Sequence, residues 1–129
     1  MALEKLYDLL EDQSNALRAY WGVLENRVTE RDLPLPLTEA WHILHDKRYG
    51  AKLWAARNSD IIPPINRYAE TMEGLFKDFR VLRDHPRREE VDRNPAIQKC
   101  DKAAKYLAEA KIKVIKRLSV INGTDNSDY

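Results

Sequence analysis

The sequence predicts an all-α protein, an antiparallel bundle of about four helices, three of them long. Three observations predict it. Apolar residues recur at alternating three- and four-residue spacings over long stretches. No segment alternates with the period of two that marks a half-buried strand. All six prolines fall at the boundaries of the periodic stretches rather than inside them. With 129 residues, the chain reads as one domain over 1–123 followed by a polar tail, 124–129.

The first helix is expected from about Leu3 to Val28, on the ladder Leu3, Leu6, Leu10, Leu17, Tyr20 and Leu24. Gln13 fills the one polar rung of that ladder. The helix must end before Leu33-Pro34-Leu35-Pro36-Leu37, because each proline pushes the preceding residue out of the α region. Thr38 caps a second helix, with Glu39 in its first turn and Ala40, Trp41, Leu44, Ala51 and Ala55 on one side. Gly50 costs about 1 kcal/mol relative to alanine, so this segment is expected to bend or break near 46–50. Asn58-Ser59-Asp60 starts a third helix, in whose first turn Pro63 and Pro64 are harmless. Its stripe is Ile65, Tyr68, Met72, Leu75, Phe76, Phe79 and Leu82, and Asp84 ends it ahead of His85-Pro86. A charged connector, 87–93, leads to Asn94-Pro95, a cap followed by proline at the first helical position. The last helix carries Ile97, Cys100, Ala104, Leu107, Val114, Leu118 and Ile121, and stops at Gly123.

Composition narrows the class. Hydrophobic residues are 43% and charged residues 33%, the balance of a charge-rich soluble helical protein. No apolar run approaches the roughly 20 residues of a membrane span, so no membrane partner is expected. Met1 to Lys5 lacks the basic and apolar blocks of a signal peptide, and the single cysteine permits no internal disulfide. These features point to the cytoplasm, where the Asn122-Gly123-Thr124 sequon is idle. A net charge of +1 excludes a globally basic nucleic-acid binder.

Its distribution is less even. Between Pro95 and Ile121 stand seven basic residues and two acidic ones. At about 100° per residue, Lys99, Lys102, Lys105, Lys113, Lys116 and Arg117 share about a third of the wheel, opposite the expected core stripe. Such a stripe is either a solvated face or a surface that tracks phosphates and releases counterions. Glu39 and His42 have the spacing of a di-iron ligand pair, but the chain has no second Glu-x-x-His. We expect no metal and no cofactor. Cys100 sits on the apolar seam and reads as a buried, inert thiol.

Arg80-Val81-Leu82-Arg83-Asp84-His85 resembles the Arg-x(4–6)-His signature of HEPN ribonucleases, which are also small helical bundles. The resemblance implies metal-independent RNA cleavage, with His85 as acid/base or orienter and Arg80 holding phosphate charge. It covers six residues and departs from the family at Val81, where a polar residue is usual.

Two packing expectations follow. Gln13 and Lys111 interrupt apolar seams near mid-helix and should share a layer, with Asp8, Glu11 or Asp12 accepting the ammonium. The first helix is apolar over about half its wheel because Leu9, Ala16, Tyr20 and Val23 flank its stripe. That flank is expected to form the interface of a homodimer. The favoured function is a non-catalytic helical interaction module or small subunit of an assembly, partnered by itself, another protein or nucleic acid. The ribonuclease is the alternative. A ligand pocket between Trp21, Trp41 and Trp54 is a third reading.

Overall fold

Three long helices fold as their periodicity dictates. The computed structural model describes residues 2–25, 42, 44–45, 48, 50–52, 56, 59–84 and 94–123. Helix α1 is Ala2–Glu25, α2 is Ile62–Asp84 and α3 is Asn94–Gly123. His42, Leu44, His45, Arg48, Gly50, Ala51 and Lys52 are helical as well, and Gly50 is thus accommodated within a helix. The expected Thr38 cap, the 33–37 loop, the 87–93 connector and the 124–129 tail lie outside the described residues. Among the described residues there is no strand, and no helix is long and apolar enough to cross a membrane.

The local chemistry explains the helix starts. Pro63 and Pro64 have no N–H to leave unpaired, and Ile65 donates the first bond of the turn, to the Ile61 carbonyl at 3.4 Å. Asn94 and Pro95 open α3 as expected.

Helix α3 lies along both α1 and α2. Asp60, just before α2, pairs with Arg117, and within α2 Arg67 pairs with Glu109 and Asp78 with Lys99; rising positions meet falling positions of α3, so these two helices run in opposite senses. The α3 core face is Ala96, Cys100, Ala103, Leu107, Ala110 and Val114, all buried. This differs from the expected stripe: Ala104 and Leu118 are only partly buried, and the true seam is rotated by about 40° toward Lys99 and Arg117. Ala96, Ala103 and Ala110 recur every seven residues, and their small side chains let α3 approach two neighbours at once. Leu6, Leu10 and Leu17 of α1 and Ile65, Tyr68, Met72 and Leu75 of α2 complete the core. Each large aliphatic among them contributes about 1.5–3 kcal/mol through burial.

A polar layer crosses this core. The Tyr68 hydroxyl donates to Gln13 Oε1, and both residues are fully buried. Burial drives the Tyr68 phenol far above its ordinary range, with the Arg48 charge pulling weakly the other way. Arg48 is itself buried, lies 5.2 Å over the Phe76 ring and approaches Glu73 at 3.9 Å. Lys111 reaches Glu11 at 2.7 Å, one of the acceptors the sequence offered. Gln13 is two residues from Glu11, about 3 Å along the axis, so Gln13 and Lys111 occupy one level of the bundle.

The Cys100 thiol is buried, and burial first, then the Glu25 and Asp78 charges, push it up to about 12. Native protein should resist DTNB at pH 8 and react with one equivalent once guanidinium unfolds it. Rapid labelling of folded protein would contradict the buried placement.

Candidate interaction surfaces

Helix α3 presents three faces, and each does something different. The core face is described above. One edge carries the basic stripe, and most of it is engaged within the protein. Lys99 binds Asp78 at 2.5 Å, its stem crossing Gly74 so closely that a Cβ there would sit 3.0 Å from Lys99 Cε. Lys113 donates to the Asp60 carbonyl at 3.0 Å and approaches Glu109 at 3.6 Å. Arg117 binds the Asp60 carboxylate at 2.5 Å, and Lys105 binds Asp101 at 3.0 Å. Lys102 and Lys116 are exposed, and among the described residues neither has an ion partner.

The stripe is therefore not opposite the core. Because the seam is rotated, Lys99, Lys113 and Arg117 stand at the α2–α3 boundary and clamp it. The signal in the sequence was real, but a wheel of one helix cannot show acids arriving from another. Asp60 illustrates the chemistry. Burial would raise its pKa, but the Arg117 hydrogen bond, its own backbone N–H and the Arg117 and Lys113 charges outweigh that and hold it below the ordinary 3.8. A depressed folded pKa adds stability that is present above the unfolded value and lost as pH falls through the folded one. Asp60→Asn should cost about 0.5 kcal/mol at pH 7, the scale of a part-exposed pair. The difference from wild type should close in acid melts as pH drops below the ordinary carboxylate range. A constant difference from pH 7 to pH 2 would argue against the clamp.

The other edge of α3 is apolar and faces away from α2. Ile112 and Ile115 are 53% and 48% exposed, well above what their size favours. They continue a second ladder of three-four spacing through Ile97, Asp101, Ala104, Ala108, Ile112 and Ile115. Between this ladder and α1 opens a groove of about 180 Å³, lined by Ser14, Leu17, Arg18, Trp21, Ala104, Ala108 and Lys111. The Trp21 indole nitrogen is buried at its edge without a hydrogen-bond partner among the described residues. Sequence reasoning missed this edge because Ile97 and Ala104 were assigned to the core.

The α1 flank proposed for dimerisation needs correction. Ala16 and Tyr20 are 6% and 3% exposed, interior to the chain's own core. Leu9 is half-buried, with Cδ1 3.9 Å from where a Gly50 Cβ would stand, and Leu44 and Ala51 are buried in the same cluster. Among the described residues Gly50 thus stands beside Leu9, while Ala16 and Tyr20 belong to the chain's own core. The Val23 side chain lies outside what is described.

Of the ribonuclease pair, Arg80 is exposed on α2 and His85 lies outside the described residues. So do Glu39, Trp41 and Trp54. His42 is exposed, and His45 meets the Phe76 ring edge-on at 5.2 Å. No family model, no curated protein and no solved structure matches this chain.

Proposed function

We propose that the protein is a non-catalytic helical interaction module whose docking surface is the apolar edge of α3 together with the groove beside α1. The observation that carries this reading is the exposure of Ile112 and Ile115 next to a Trp21-lined groove. Apolar side chains clustered in this way mark a binding site, whereas single scattered ones need no explanation. The same helix commits Lys99, Lys105, Lys113 and Arg117 to internal acids, which supports protein rather than nucleic acid as the macromolecule bound.

The test is gel filtration of native extract. Wild type should elute above the 15.1 kDa of one chain. The Ile112→Asp/Ile115→Asp variant should fall to the monomer position with unchanged circular dichroism, because exposed apolar side chains are dispensable for folding. Lys102→Glu, exposed on the basic edge, should behave as wild type. Monomeric elution of the wild type, or an unshifted isoleucine variant, would overturn the reading.

A further inference from the structure

We infer that the occupant of this surface is a second copy of the chain, its α3 laid antiparallel on the first across a two-fold axis between Ala108 and Ile112. The inference rests on the docking surface proposed above and names its partner.

The ladder on the open edge of α3 is complementary to itself. Its N-terminal half is hollow, with Ala104 and Ala108 beside the groove that Leu17 and Trp21 border. Its C-terminal half is raised, with Ile112 and Ile115 standing half-exposed. Ala108 and Ile112 are one helical turn apart, so a two-fold axis between them sets each raised half on the other copy's hollow half. Ile112 then meets Ala108 of the second copy, and Ile115 enters the groove at Ala104. Every contact is made twice.

The charges agree with this register. Asp101 lies toward the start of the ladder, 46% exposed, and holds Lys105 through one oxygen at 3.0 Å. Lys116 lies toward the other end, exposed, and has no ion partner among the described residues. The antiparallel register brings Lys116 of one copy to Asp101 of the other. The contact involves a few turns of one helix per copy, smaller than the roughly 1,200 Å² of a standard interface, so the dimer is a weak one.

Sedimentation equilibrium of purified protein at low salt tests this. Wild type should show a monomer–dimer equilibrium with a dissociation constant on the order of 10 µM. Ile112→Asp should raise that constant at least tenfold. Ala108→Arg should do the same, and it keeps helix propensity at an exposed site, so a loss cannot be ascribed to unfolding. Lys116→Asp should weaken the dimer, and adding Asp101→Lys should restore it, since the exchanged pair meets again only in an antiparallel register. A strict monomer at 300 µM, a dimer indifferent to Ile112→Asp or Ala108→Arg, or failed rescue by the exchanged pair each overturns the inference. If purified protein is monomeric while the extract complex still depends on Ile112 and Ile115, the docking surface stands and its occupant is another protein. If neither associates, both readings fall.

Discussion

Leu107→Ala should destabilise the protein by about 3 kcal/mol, the middle of the range for a buried leucine truncated in a core that relaxes only partly. Leu107 is fully buried near the middle of α3, the helix that packs against both α1 and α2. In a chain of 129 residues that loss should lower Tm by roughly 10 °C. The converse change is as informative. Ala103 is also fully buried, and Ala103→Leu inserts three carbons where two helices converge. We expect it to cost about 2 kcal/mol through displaced neighbours, despite the added apolar surface. Urea melts of both variants check this. A leucine tolerated at 103 without loss would mean that α3 is not wedged between its neighbours.

The second large effect concerns the polar layer. Tyr68→Phe removes the donor to Gln13 Oε1, and Gln13 Nε2 already has no partner among the described residues. A buried amide stripped of its remaining bond should cost about 2 kcal/mol. Gln13→Leu in the same background removes the amide and should recover most of that loss, since replacing both partners by apolar groups leaves nothing unsatisfied. The double variant should therefore be more stable than Tyr68→Phe alone. A double variant weaker than either single would show that the pair is packed too closely for leucine to replace the amide.

These expectations show which parts of the fold were legible in the residues. The helix bounds followed from backbone chemistry that acts locally: Asn94-Pro95 and the Pro63-Pro64 turn open helices wherever they stand. Lys111 could be assigned an acceptor on α1 because a half-buried ammonium at mid-seam has few places to go. Rotation about the helix axis was harder to read. Ala103 and Ala104 are indistinguishable on hydrophobicity, and only the position of two neighbouring helices makes the first core and the second edge. From that small rotation come both the engagement of Lys99 with Asp78 and of Lys113 and Arg117 with Asp60, just before α2, and the exposure of Ile112 and Ile115. On α1, Tyr20 and Ala16 are buried in the chain's own core, and a single-helix wheel does not say whose surface fills an arc.

The proposed docking surface places the function of α3 on its apolar edge rather than its basic one. A benzophenone attached to cysteine at one of two exposed positions, Ser119→Cys at the rim of the apolar edge or Lys102→Cys on the basic edge, decides between them, with Cys100 buried and unreactive in both. Each labelled protein is irradiated in native extract, and adducts are read by mass. A discrete adduct is expected from position 119 and none from position 102. Adducts from position 102 with none from 119 would return the function to the basic edge.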